Sequence, residues 1–389
     1  MTTVTAQEPP PHQHHQAASS SAWTWSADAN AFFGYNYQSR HFADHSAWES
    51  QNWFGVSGER SLGSARVTIT GMLTLEPFTL SARGSPQLFQ TGESYQGIPL
   101  VNLQHPHDLV MNLGVTSRWV RPRLTYMLGA DLVGSPTLGP MPFMHRESAR
   151  DNPQVPLMHH YLDATHSTPG VLRAGVQSGS LALEASVFRG AGPDEDRLNV
   201  ERPGLDSWAV RGAWNRGPWT VQMSGGHLRL PEWFEPFDAT VLTASAMFDG
   251  HLGRWPLAST LAWGERRQYN GYNGNVDGYL LEWRLRPTAA STTYGRVEVG
   301  AKELFGLGPH PKEFVHRHWF SDVNAFTFGF VKDLPAGPAV AVRAAGRLGV
   351  GADVTLYRMS ADLLPYYASS RSFHVFLRWR PTPIGRHIH

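Results

Sequence analysis

The chain of 389 residues has no cysteine. That excludes thiolate metal centres, thiol nucleophiles and disulfide staples. It also has no apolar run approaching the ~18–20 residues of a membrane-crossing helix, so any membrane residence must be through strands. Neither sign of charge dominates: 33 Lys and Arg face 32 Asp and Glu, a net of +1, which leaves no basic footprint for a nucleic acid. The opening MTTVTAQEPPPHQHHQ holds neither the basic nor the apolar part of a signal peptide. Val4-Thr5-Ala6 before Gln7 has the small-x-small form of a cleavage site, and we read it as the tail of a signal that starts upstream.

What the chain does have is a period of two. Val67, Ile69, Leu73 and Leu75 interleave with Arg66, Thr68, Thr70, Met72 and Thr74. Tyr279, Leu281, Trp283 and Leu285 interleave with Leu280, Glu282, Arg284 and Arg286. Near the end, Phe373, Val375, Leu377 and Trp379 alternate with His374, Phe376, Arg378 and Arg380. Such alternation puts the two sets on opposite faces of a sheet. A soluble β-sandwich shows the same pattern turned inside out, and three features argue against it. Charges sit in mid-strand, where a water-filled lumen would accept them. The 14 Trp, 12 Tyr and 19 Phe include many near strand ends (Trp119, Trp208, Trp219, Trp263, Trp379), as an interfacial girdle requires. Sixteen strands closed into one cylinder also enclose more space than side chains can fill.

The strands are predicted near 31–40, 52–62, 65–75, 110–120, 123–133, 168–179, 181–190 and 206–216. The second half gives 218–229, 240–251, 256–268, 275–287, 291–303, 320–333, 338–349 and 372–380. Tight Gly-, Pro- and Ser-containing turns, such as Gly63-Ser64, Arg121-Pro122 and Arg216-Gly217-Pro218, alternate with longer connections. The fold class is therefore all-β: a transmembrane antiparallel up-and-down barrel of about 16 strands across 23–380, in the outer membrane of a Gram-negative bacterium. A disordered His-, Pro- and Gln-rich segment (1–22) is expected before it and a short tail (381–389) after it.

Function is expected in two connections, 76–109 and 134–167, which exceed the ~12–15 residues beyond which structureless loops become rare. Both are expected on the outer side, folding into the lumen. They hold His105, His107, Asp108, His145, His159, His160, Asp163 and His166, a mixture of imidazole and carboxylate suited to a divalent transition metal such as copper or zinc. Their spacing fits no defined zinc signature, and the alternative is a set of hydrogen-bonded histidines packing a plug. His12, His14 and His15 offer a looser metal contact, or simply a solvated tail. Ser148 and Ser167 stand near histidines and acids, the minimum for a lipid or peptide hydrolase on loop 134–167, although no GxSxG elbow is present. The lumen-lining set is read as Arg66, Arg118, Glu184, Arg211, Glu282, Arg284, Arg296, Glu298, Lys302, Arg343, Arg347 and Arg378. Its basic excess favours anions unless the charges pair across neighbouring strands.

The segments QTGESYQGIPLVNLQHPHDLVMNL, GPMPFMHRESARDNPQVPLMHHYLDATHSTPGVLRAGV, LEASVFRGAGPDEDR and SFHVFLRWRP resemble a family of uncharacterised proteobacterial-type outer-membrane proteins. The resemblance covers most of the chain after about residue 70 and implies the barrel. Members found near metal-handling genes add an expectation of metal handling, but the family supplies no catalytic residues. The function expected is a channel or binding barrel for small hydrophilic solutes, metal ions among them. A hydrolase on loop 134–167 and a plugged structural barrel are the alternatives. Its partners are outer-membrane lipid and small solutes or ions, with no nucleic acid and the oligomeric state left open.

Overall fold

The computed structural model describes residues 22–231, 237–268, 276–304, 320–335 and 346–382. The strands in chain order are β1 (Thr24–Arg40), β2 (Ala43–Glu49), β3 (Asn52–Leu62), β4 (Ala65–Leu73), β5 (Ser85–Tyr95), β6 (Ile98–Gln104), β7 (Val110–Val120), β8 (Thr125–Gly134), β9 (Thr168–Ser178) and β10 (Leu181–Phe188). They continue as β11 (Ser207–Arg216), β12 (Trp219–Leu228), β13 (Ala239–Leu252), β14 (Trp255–Gln268), β15 (Val276–Thr288), β16 (Ser291–Glu303), β17 (Phe320–Asp333), β18 (Arg347–Met359) and β19 (Arg371–Arg380). β5 and β6 pair only with each other; the remaining 17 form one antiparallel sheet.

That sheet is a closed ring. β2 and β3 act as one strand broken at Ser50 and Gln51. β1 pairs with β3 from Thr24↔Glu59 to Ala31↔Asn52 and with β2 from Gly34↔Glu49 to Arg40↔Ala43. Along its other edge β1 takes β19, from Ala31↔Trp379 to Ser39↔Arg371. Counting β2 and β3 together, sixteen strand positions close the cylinder, as the alternation implies. Closure matters because an open edge in hydrocarbon would leave backbone N–H and C=O groups without partners.

Two sequence expectations move. The stretch 41–51, read as a long connection, contains β2. The hairpin before it turns at His41 and Phe42, with Phe42 at φ 66°, so no glycine or proline marks it. The strand expected at 338–349 lies at Arg347–Met359 instead, and residues 338–345 are outside those described. Here Gly349, Gly351, Asp353 and Thr355 form the inward set, and two glycines blur the polar half of the period. The space at Gly351 is taken: a Cβ there would run into the Phe376 ring. The 1–22 segment and most of the 381–389 tail also fall outside the described residues.

Burial along the strands is inverted relative to a soluble protein. On β15, Leu281 is 43% exposed while Glu282 beside it is 1% exposed; on β19, Val375 is 50% exposed and His374 4%. Apolar side chains therefore coat the outside and charged ones face the interior, the arrangement of a barrel solvated by lipid. Trp119 opposite Tyr126, and Trp219 against Phe248 at 4.9 Å between ring centres, lie beside the tight turns at one end, where an aromatic girdle belongs. At the opposite end the long connections fold inwards. The β5–β6 hairpin and loop 134–167 meet an apolar cluster that includes Leu88, Phe89, Met158, Leu280 and Tyr367.

Leu281 sits mid-strand on the lipid face, so Leu281→Arg is expected to destabilise the barrel by about 2–4 kcal/mol. Equilibrium folding into lipid vesicles against urea checks it; an unchanged midpoint would mean this face is not in contact with lipid.

Candidate functional site

Loop 134–167 joins β8 to β9, the fifth and sixth strand positions of the ring, and runs through the interior. Charge explains why it stays there. Asp151 accepts hydrogen bonds from Arg284 of β15 and from Arg378 and Arg380 of β19, the last at 3.0 Å. Burial alone would push the Asp151 carboxyl up, but Arg380, Arg284 and Arg378 outweigh it and hold it well below the usual carboxylate range. Five positions earlier, Arg146 is fully buried and donates to Glu282 of β15 at 2.6 Å and to Asp163 of its own loop at 2.6 Å. Burial likewise opposes the charge on Asp163, and Arg146 with His159 overcomes it.

The wall also grips the loop backbone. Arg296 donates to the Gln154 carbonyl at 2.9 Å and Lys302 to the Leu157 carbonyl at 2.8 Å, while Glu298 accepts the Met158 N–H at 3.0 Å. Arg296 also lies 3.3 Å from Glu282 on the neighbouring strand. So Glu282, Arg284, Arg296, Glu298, Lys302 and Arg378 do point inwards, as their strand parity implies, but the loop and its carboxylates occupy them. The expected basic excess is largely cancelled by these pairs. Elsewhere Arg211 pairs across strands with Glu184 at 2.7 Å. Arg347 is exposed at 3.9 Å from Asp333, and Arg343 lies outside the described residues.

The loop is held against β14–β19 and, through Thr137 and Gly139, against β10–β12, and a cleft of about 340 Å³ is left between it and the wall of β1, β3, β4, β7 and β9. Its wall carries Thr68, Thr70, Thr116, Arg118 and Arg173; its loop edge carries Met141, Pro142, Met144 and His145. Arg173 is paired with Asp131 at 2.8 Å, and Arg150, at the loop's far edge, with Asp28 at 2.8 Å. Arg66 and Arg118 are direct cross-strand neighbours. Like charges in that position disfavour pairing, and only Arg66 is relieved, by Glu59 at 3.2 Å. Among the described residues Arg118 forms no ion pair.

The eight histidines and acids proposed as metal ligands divide. His107, His159 and His166 cluster around Phe143, with ring centres 5.5–6.2 Å from it. His105 turns to Glu93 at 3.3 Å, although i, i+2 spacing had suggested that it shares a side with His107; their ring centres are 5.9 Å apart. Asp108 is engaged by Arg197 at 3.2 Å, and burial pushes its carboxyl up to about 7. His145 stacks edge-on to Trp53, and His160 lies against Gly92. Asp163 is taken by Arg146 and His159. Among the described residues no three His, Asp or Glu side chains are placed to hold a metal ion as they stand.

Sequence reading missed Glu76, Asp28, Asp131 and Phe143, whose roles arise from contacts distant in the chain. The serines of the hydrolase reading find other partners. Ser148 bonds Thr260 at 2.7 Å and Glu282 at 2.9 Å, and Ser167 donates to the Met111 carbonyl at 3.3 Å. Neither hydroxyl is hydrogen-bonded to an imidazole.

No protein-family model and no curated protein matches the chain. Solved structures do match in fold. OmpF of Salmonella typhi, in complex with daunomycin, aligns with TM-score 0.55 and 10% identity over 92% of this chain and 97% of its own. An anion-selective porin from Comamonas acidovorans gives 0.51 and 12% over 92% and 99%. A loop-deletion mutant of OmpT, an outer membrane protein of Vibrio cholerae, gives 0.50 and 11% over the same shares. The class that fold and faces define is the closed sixteen-stranded transmembrane β-barrel, a fold this chain shares with those structures.

Removing the charge that three arginines share should release the loop. Asp151→Asn is expected to weaken its anchoring by about 3–5 kcal/mol, because it leaves buried Arg380 without a carboxylate and takes one of two from Arg284 and Arg378. Faster proteolytic cleavage within 134–167 in the folded barrel is the readout; wild-type resistance would show that the cluster does not hold the loop.

Proposed function

We propose that the protein is an outer-membrane channel of a Gram-negative bacterium, passing small hydrophilic solutes along the cleft between the loop edge at Met141–His145 and the wall of β1, β3, β4, β7 and β9. The observation that carries this reading is the asymmetry of the interior. A loop whose charged contacts are mostly on the β15–β19 wall, and which leaves a cleft along the opposite wall, narrows the lumen without filling it, which makes a size-selective constriction. The opposite wall is lined by hydroxyls and arginines, which suit hydrated or anionic solutes rather than apolar ones. Lipid is the partner of the outer face.

Within the cleft, Arg118 beside Arg66 is the element of selectivity. A cation without a counter-ion raises the local potential and draws anions. The channel reading thus assigns modest anion preference to Arg118, not to the whole basic set on the wall.

Reconstitution in planar bilayers tests both parts. Discrete conductance steps are expected, with a reversal potential in a salt gradient that reports anion preference. Arg118→Glu should move that potential towards cations. Absence of any conductance would favour a plugged structural barrel, and a reversal potential indifferent to Arg118→Glu would remove the assigned selectivity.

A further inference from the structure

Three imidazoles from two different loops share one buried pocket. The ring centres of His107 and His166 are 5.2 Å apart and those of His159 and His166 5.0 Å. All three are anchored from behind through Nδ1. His107 Nδ1 lies 2.8 Å from Glu76 Oε2, His159 Nδ1 2.6 Å from Asp163 Oδ1, and His166 Nδ1 2.8 Å from the Asp163 carbonyl oxygen. A carbonyl can only accept, so His166 carries its proton on Nδ1; the carboxylates select the same tautomer in the other two. In each neutral ring Nε2 is then left with a lone pair. For His107 and His166 that atom is buried and has no hydrogen-bond partner. The three rings border a cavity of about 80 Å³, large enough for an ion with a bound water.

Buried lone pairs without donors are costly, and two of them on rings that border one cavity offer it to a hydrogen-bond donor or a cation. We propose that His107, His159 and His166 bind one divalent first-row transition ion through Nε2, with Glu76 and Asp163 as the groups that orient the rings. Imidazole donates its second nitrogen to a carboxylate or carbonyl in nearly every histidine-metal site, and all three do so here. Two rings bound to one ion at ~2.0–2.1 Å stand roughly 5 Å apart between centres, which is the spacing found. The side chains as placed do not yet share one point, so loading draws the rings inwards about their Nδ1 anchors. Asp163 itself is not a ligand, since Arg146 holds its other oxygen at 2.6 Å. The ion would tie loop 76–109, through His107, to loop 134–167, through His159 and His166. His166 borders both this cavity and the cleft, but the site does not rest on the channel reading.

Calorimetric titration of Zn²⁺ into the folded full-length protein in detergent is the test. One ion per chain is expected in the wild type, with binding weakened at least 100-fold by His107→Ala or His166→Ala. Glu76→Gln, which keeps every ring, should weaken it roughly 10–100-fold, and it decides the matter if a histidine variant fails to fold. His227→Ala and the combined His12→Ala, His14→Ala, His15→Ala variant should bind as the wild type does. No binding, or binding lost with the three N-terminal histidines and indifferent to the loop variants, would overturn the proposal.

Discussion

The rest of the structure depends on the ring of backbone hydrogen bonds closed by β1 and β19. Within hydrocarbon no water is available to an unpaired N–H or C=O, so a sheet can reside there only without edges. Once it has closed, the period of two decides everything about its faces. Leu281, Val350 and Val375 meet lipid, and Glu282, Asp353 and His374 meet the interior. The hydrophobic effect thus acts on the outer surface, and the interior is free to be held together by charge.

That freedom is used most densely on one side. β15, β16 and β19 present arginine, lysine and glutamate to a loop that supplies Arg146, Asp151 and a row of backbone carbonyls. Buried charges are tolerable when they are paired and hydrogen-bonded, and here wall and loop satisfy each other. An apolar cluster beneath the β5–β6 hairpin completes the packing. On the β3–β7 side the loop reaches the wall through Phe143 and Met144, packed with Trp53, Met72 and Met111, and the threonines beside them border the cleft.

Most of the barrel was legible in the sequence because lipid enforces alternation on every strand. It was unreadable where the signal was carried by something other than alternation. β2 was hidden by a hairpin that turns on Phe42, and β18 by glycines whose absent side chains make room for Phe376. The site was legible in a different measure. Long loops rich in His and Asp pointed to the right segments, and parity placed Arg284, Glu298 and Arg378 on the inner face. Which histidines meet is set by the packing of two separate loops, as His107 with His166, and which arginines are neutralised is largely set by contacts more than a hundred residues apart, such as Arg378 with Asp151. No local pattern encodes those.

The seam between β1 and β19 also imposes an order of events. Arg380 bonds Asn30, 350 positions away in the chain, and Arg378 and Arg380 supply two of the three cations that seat Asp151. Neither the cylinder nor its internal loop can therefore settle until β19, Arg371–Arg380, has arrived. Contacts of such long range make folding slow and leave strand edges bare in the meantime. A nascent chain of this kind depends on being kept unaggregated until its last strand is delivered, and the same strand that seals the wall then locks the loop.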